Sequence, residues 1–191
     1  TGVYNRRYFE EQIKKKNENA GVAVIDMDDF KLCNDTLGHS AGDAALRTMV
    51  KTVKHCIRKT DILIRYGGDE FILILQNIKK ENFFNKLVQI QSDIHAANVP
   101  GFPKLQLSVS IGGVISSKET VEHAVMQADK LMYQAKEHKN MVVTEDNASY
   151  VAPGVANRKA RQQILIVDDS EMNRAILSEM LKKDFDILEA E

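Results

Sequence analysis

Ile62-Leu63-Ile64-Arg65-Tyr66-Gly67-Gly68-Asp69-Glu70-Phe71-Ile72-Leu73-Ile74-Leu75 sets two short apolar runs around a glycine pair and two carboxylates. Two β-rich runs joined by adjacent glycines predict a hairpin. Backbone geometry accounts for the glycines and for one Asp. It does not call for Asp69 and Glu70 together ahead of a buried strand. Glycine lets another molecule approach the backbone, and adjacent carboxylates can hold a hard cation. The tip therefore has two readings: a handle for a metal-bound phosphate, or a solvated acidic turn.

A second acidic cluster lies upstream. Val22-Ala23-Val24-Ile25, preceded by Gly21, is a continuous apolar run of the kind that forms a strand buried on both faces. It ends in Asp26-Met27-Asp28-Asp29, where an α/β sheet presents ligands. Three acids this close repel one another unless a cation or hydrogen-bond donors compensate. A metal is expected at Asp26, and Asp28 or Asp29 is expected to N-cap the next helix. Gly38 and Gly42 punctuate the stretch from Phe30 to Asp43. Within it, an amide at Asn34 and a carboxylate at Asp43 can together read the Watson–Crick edge of guanine. The same two residues also suit a helix end or a turn.

The remaining chain supplies the scaffold. Tyr8, Phe9 and Ile13 give an opening polar helix its apolar side, and Lys14-Lys15-Lys16 reads as a solvated face. Helix periodicity runs from Ala44 to Ile57, from Glu81 to Ala97, and from Thr120 to His138. In the second of these, Phe84 is expected inward and Phe83 partly exposed. Leu105 to Ile111 alternates, which predicts a half-buried strand, and Gly112-Gly113 reads as a bulge or, less readily, as room for a ligand. Lys136 and Lys139 cluster near the end of the third helix, where cations are welcome on electrostatic grounds alone. Met141 to Thr144 is a last strand. The order is strand, helix, hairpin, helix, strand, helix, strand: an α+β fold with a split βαβ arrangement and a mostly antiparallel central sheet. Such a sheet can set the end of the first strand beside the glycine turn, bringing Asp26 and Asp69 around one divalent cation.

Composition narrows the class. The chain has 191 residues, enough for one full domain and a piece of a second. A net charge of −1 does not give the basic footprint of a nucleic-acid binder. The two cysteines, Cys33 and Cys56, form neither a disulfide framework nor a CxxC metal pair, so a reducing cytoplasmic setting is expected. The apolar runs are strand-sized, so no direct membrane contact is expected from this segment, although a longer parent protein can carry an anchor elsewhere.

Several separated motifs now line up. Thr1-Gly2-Val3-Tyr4-Asn5-Arg6-Arg7 opens the chain, followed by Asp26-Met27-Asp28-Asp29-Phe30-Lys31, Asn34-Asp35 and Gly38-His39-Ser40-Ala41-Gly42-Asp43. Gly67-Gly68-Asp69-Glu70-Phe71 and Ala128-Asp129-Lys130-Leu131-Met132-Tyr133-Gln134-Ala135-Lys136 complete the set. In this order and spacing, residues 1–144 resemble the GGDEF domain of bacterial diguanylate cyclases. The resemblance implies a nucleotidyl-cyclase or polymerase palm-like fold with a ferredoxin-like core. It implies condensation of two GTP molecules into cyclic di-GMP by a homodimer, each domain binding one GTP. It assigns Asp26, the Met27 carbonyl and Asp69 to magnesium, with manganese as an alternative. Asn34 and Asp43 would take the guanine base. Glu70 and the backbone at Gly68 would contact the substrate, and Phe30, Lys31 and Lys136 would lie along the triphosphate. Arg58-Lys59-Thr60-Asp61 matches the family's RxxD inhibitory site for the product, although an Arg–Asp pair at a hairpin mouth is the plain alternative. One departure is visible. After Lys136 the family carries a GRN-like turn; here Glu137-His138-Lys139-Asn140 is one residue shorter and lacks Gly, with Lys139 in place of the usual Arg.

The tail differs in character. Residues 145–163 read as a linker containing Pro153-Gly154. Ile164-Leu165-Ile166-Val167-Asp168-Asp169 then begins a new buried strand, with a helix expected from Glu171 to Lys183 and a strand over Asp186–Ala190. This β-α-β stretch, residues 164–191, resembles the start of a response-regulator receiver, with Asp168 and Asp169 at the acidic-pair positions. It implies a two-component signalling context. Three function classes follow: a cyclase, a catalytically silent GTP or cyclic di-GMP sensor, and a dimerising scaffold.

Overall fold

The computed structural model describes residues 2–17, 19–146, 150–151, 163–167, 170, 178 and 186–190. The chain divides into two compact units, 1–153 and 154–191. In the first, β1 (Tyr4–Asn5) leads into a short helix α1 (Arg6–Tyr8) and a π-helical turn (Phe9–Ile13). Then follow β2 (Ala20–Met27), α2 (Phe30–Leu37), α3 (His39–Cys56), β3 (Ile62–Arg65), β4 (Glu70–Gln76) and α4 (Lys80–Ala96). The unit continues with β5 (Val109–Ser116), α5 (Val121–Lys136), β6 (Met141–Thr144) and β7 (Tyr150–Val151). The seven strands form one sheet in the order β1-β3-β4-β2-β5-β6-β7. Its four antiparallel pairings, β3–β4, β4–β2, β2–β5 and β6–β7, outnumber the parallel β1–β3 and β5–β6.

Helices cover both faces, and the period-two alternation of the strands divides the core. Ala23, Ile25 and Met27 of β2 join Phe71, Leu73 and Leu75 of β4 against α3 and α4. Val22 and Val24 join Ile72 and Ile74 against the π-helical turn and α5. This is why β2 reads as an unbroken apolar run: both its faces are buried.

Several expectations need correction. Ahead of the opening helix, Tyr4–Asn5 forms a strand parallel to β3 that the sequence pattern does not predict. Phe83, expected partly exposed, is buried, and Phe84 only partly. Phe83 fills the space that Gly21 leaves on β2, where a Cβ would collide with its ring. The alternating stretch from Leu105 does not enter the ladder until Val109. Its carbonyls are held from outside the ladder: Leu107 O by His95 Nδ1 at 3.0 Å and Ser108 O by the Asp28 N–H at 2.9 Å. Gly112-Gly113 is no bulge, because β5 stays in unbroken register with β2 from Ala20↔Ser116 to Met27↔Val109. Gly42 does not interrupt a helix; it lies inside α3, where the Asn34 side chain rests on it. Tyr150–Val151 adds an edge strand inside the stretch read as linker.

In the second unit β8 (Gln163–Val167) pairs in parallel with β9 (Asp186–Ala190), in register from Gln163↔Asp186 to Val167↔Ala190. Asp168, Asp169 and, apart from Ser178, the helix expected over 171–183 lie outside the described residues.

Candidate active site

Sheet register creates the site. Asp26, the penultimate residue of β2, pairs with Glu70 on one side and Ser110 on the other. The next N–H along, that of Met27, donates to the Asp69 carbonyl at 3.3 Å. Asp26, Met27, Asp69 and Glu70 therefore share one end of the sheet. The hairpin tip is closed by the N–H groups of Tyr66 and Gly67 donating to Glu70 O at 2.9 and 3.2 Å. Arg65 donates through Nε and Nη2 to Gly68 O at 3.1 and 2.6 Å. Neither glycine of the tip has positive φ. Gly67 is small because Glu70 folds back over it, its Oε2 within 2.7 Å of where a Cβ would stand. Gly68 faces open space.

The acidic run at the end of β2 is resolved by giving each carboxylate its own partners. Asp26 is 3 % exposed, and its Oδ1 lies 2.9 Å from Lys136 Nζ. That distance suits a hydrogen bond but the alignment does not: Oδ1 is buried without an aligned donor, so the pair is electrostatic. Burial pushes the Asp26 carboxyl up to about 6; Lys136 opposes the shift, and Asp69 and Glu70 add to it. Asp28 accepts from the hydroxyls of Ser108 and Ser110 and from the Asn140 N–H. These three donors tie it to β5 and the turn after α5 rather than to the start of α2. Asp29 occupies the N-cap position of α2 in a left-handed conformation, φ 54°, and its side chain caps nothing. It accepts instead from Lys139 Nζ at 2.8 and 2.7 Å.

With no side-chain cap, the N-terminus of α2 presents its first N–H groups, those of Phe30 and Lys31, beside the Asp26 end of the sheet. Free N–H groups at a helix start favour an anion. The Phe30 ring packs against the core, while the Lys31 side chain is exposed. Asn34 on α2 lies over Gly42 on α3. Asp43, the next residue of α3, is exposed and stands 3.9 Å from Arg47. The packing of α2 on α3 thus brings Asn34 close to the turn of helix that carries Asp43.

The amino-acid sequence matches the diguanylate cyclase GGDEF domain family over residues 1–141. The chain belongs to the GGDEF domain family. Its domain is 30% identical over 145 residues to a probable diguanylate cyclase, DgcC, of Escherichia coli, covering 71% of this chain and 39% of that protein. It is 35% identical over 146 residues to the diguanylate cyclase DgcS of Shewanella oneidensis, covering 71% and 48%. The chain thus spans under half the length of these relatives. Among solved structures, the diguanylate cyclase SiaD of Pseudomonas aeruginosa, crystallised with its activator SiaC, superposes with a TM-score of 0.69 at 29% identity over 75% of this chain and 59% of that one.

The GGDEF domain carries a second cleft, of about 490 Å³, whose lining includes Arg58, Lys59, Asp61, Lys54 and Tyr4. Asp61 does not pair with the Arg58 guanidinium. Its carboxylate accepts the Arg58 N–H at 2.7 Å and the Gln76 N–H at 3.0 Å, pinning the loop to the start of the hairpin. Reading the sequence missed Ser108, Ser110 and Arg65 as supports of the acidic end. Their partners lie on other elements or on the backbone, and no local pattern marks them.

Proposed function

We propose that this domain is a diguanylate cyclase that joins two GTP molecules into cyclic di-GMP with release of pyrophosphate. The observation that carries the reading is the register of β2 and β4, which sets Asp26 beside Glu70 and Asp69 at the open N-terminus of α2. The buried Asp26 carboxylate, with Lys136 2.9 Å from its Oδ1 and Asp69 and Glu70 at the same end of the sheet, supplies oxygen donors of the kind a hard cation takes. Few carboxylates suffice for magnesium, because substrate phosphates complete its coordination. Asp26, the Met27 carbonyl and Asp69 would hold it, and manganese suits the same oxygens. When bound, the cation neutralises phosphate charge and lowers the pKa of the attacking hydroxyl.

The chain's own residues do the rest. N–H groups of Phe30 and Lys31 receive the phosphates at the helix start. The ammonium groups of Lys136 and Lys139, and that of Lys31, offset the charge of the triphosphate. Asn34 and Asp43 read guanine, which distinguishes GTP from ATP. Glu70 lies over Gly67 and contacts the substrate, and open space at Gly68 admits it. The 3′-hydroxyl of one GTP then attacks the α-phosphate of the other. Among the described residues one chain offers one such site, so two copies face each other, and their approach supplies the proximity that the reaction needs. Arg58 would grip the product through phosphate or guanine in the second cleft. Asp61, held by two backbone N–H groups, shapes that loop. On sequence resemblance residues 164–191 would be the start of a receiver, with Asp168 and Asp169 as its acidic pair, and the parent protein would then act in a two-component relay.

Incubating the protein with GTP and Mg²⁺ is expected to yield cyclic di-GMP at a rate that rises more steeply than linearly with protein concentration. GTP binding without product at high concentration would instead identify a sensor module. Added cyclic di-GMP is expected to slow the wild-type initial rate. In Arg58→Ala that inhibition should disappear, and persistent inhibition would remove Arg58 from the product site.

A further inference from the structure

We propose that Gln91 and Asn140 are positioning residues for phosphoryl transfer, locking the left-handed turn after α5 onto Asp28 so that Lys136 and Asp26 keep their register. Gln91 sits on α4 among Phe83, Leu87, Ile90 and Ile94, and is fully buried. A buried amide is costly unless it is bonded. Its Nε2 donates to the Asn140 carbonyl at 2.9 Å and to Asn140 Oδ1 at 2.6 Å, while Gln91 Oε1 and Asn140 Nδ2 are buried without a partner among the described residues. The Asn140 N–H in turn donates to Asp28 Oδ2 at 2.9 Å. Asp28 is two residues from Asp26, and Asn140 is four residues after Lys136. A chain of hydrogen bonds therefore runs from α4 to the two segments that carry the Asp26–Lys136 pair, ending at Asn140 and at Asp28 rather than at the pair itself.

The turn needs such a clamp. Lys139 and Asn140 are consecutive left-handed residues, φ 54° and 47°, and neither is glycine. That conformation costs Lys139 more than Asn140, since Asn tolerates it, and it persists where surroundings fix it. Two anchors fix this one: Lys139 on Asp29, and Asn140 between Gln91 and Asp28. Without them the turn is free to relax, and the end of α5 moves with it. Groups that orient a metal-binding carboxylate typically change metal affinity or activity by roughly 10–100-fold when removed.

The proposal rests on the cyclase reading, so its test carries a readout that does not need turnover. Gln91→Leu keeps the volume and removes the donor. Asn140→Gly suits the left-handed backbone and removes the side-chain acceptor, while Asn140→Asp retains an acceptor and tolerates the conformation. Gln91→Leu and Asn140→Gly are expected to melt close to wild type. Both should raise the Mg²⁺ concentration for half-maximal binding of a fluorescent GTP analogue by about tenfold, and lower kcat by a similar factor with less change in KM. Asn140→Asp is expected to restore most of both. Wild-type Mg²⁺ dependence in the first two variants would overturn the proposal. So would a loss of activity that matches a loss of folded protein. If the wild type binds the analogue but forms no cyclic di-GMP, the cyclase reading fails, while the Mg²⁺ titrations still decide the clamp.

Discussion

Asp26→Asn is expected to lower cyclic di-GMP formation on the order of a thousandfold, while the metal-free protein melts at the wild-type temperature or a few degrees above it. Both halves come from one placement. The carboxylate is buried at the end of β2, next to Asp69 and Glu70, and its Oδ1 lacks an aligned donor. Burial is the main cause that lifts its pKa to about 6 from the ordinary 3.8. A raised carboxyl pKa means that the folded state binds the proton more readily than the unfolded chain. Its contribution to stability is complete below about pH 3.8 and is lost as pH rises through about 6. At neutral pH the ionised group thus works against the fold, and asparagine keeps its shape without that charge. Lys136 loses a partner, but its side chain is 40% exposed and can turn to water. Chromatography of the reaction at saturating GTP and Mg²⁺, beside a melt at pH 7 without metal, checks both halves. Retained turnover would remove Asp26 from the chemistry. A melt far below wild type would show that the Asp26–Lys136 pair holds the sheet end together.

The sequence made this placement legible because strand and hairpin signals are local. An apolar run ending in Asp26, and a glycine turn ending in Asp69 and Glu70, come together once the strands pair antiparallel. What holds the other acids was not legible. Asp28 invites an N-cap reading because a helix follows, yet its partners come from Ser108, Ser110 and Asn140, 80 to 112 residues away. Lys139 was visible as a cation near a helix end, but its pairing with Asp29 depends on how the turn after α5 closes over β2. Phe83 and Phe84 are adjacent, and helix periodicity alone could not choose between them. The choice is made by Gly21 and Gly113, which open the sheet surface to the Phe83 ring. Alternation from Leu105 onward is a genuine strand signal, and tertiary hydrogen bonds to Leu107 and Ser108 override it.

Gly112→Ala is expected to destabilise the domain by about 3 kcal/mol or more, the upper end of small-to-large substitutions in a packed core. β5 passes beneath α5 here, and a Cβ on Gly112 would meet the Met132 amide nitrogen, the Ala128 carbonyl and the Leu131 carbonyl carbon. Those are backbone atoms of a helix and have no rotamer to change, so the new methyl can be accommodated only by moving α5 off the sheet. That motion has a second consequence. α5 ends at Lys136, which faces Asp26, so a lifted helix also withdraws the ammonium from the acidic end. The adjacent glycine is an internal control. Gly113 faces α4, where the contacts are Leu87 Cδ1 and the Phe83 ring, side-chain atoms that can shift. Gly113→Ala should therefore cost clearly less than Gly112→Ala, and Gly68→Ala, with open space at its Cβ position, should leave stability near wild type. Urea unfolding of the three variants tests the order. Equal losses at Gly112 and Gly113 would mean that α5 yields as readily as a side chain, and that the close seat of this helix on β5 does not fix where Lys136 stands.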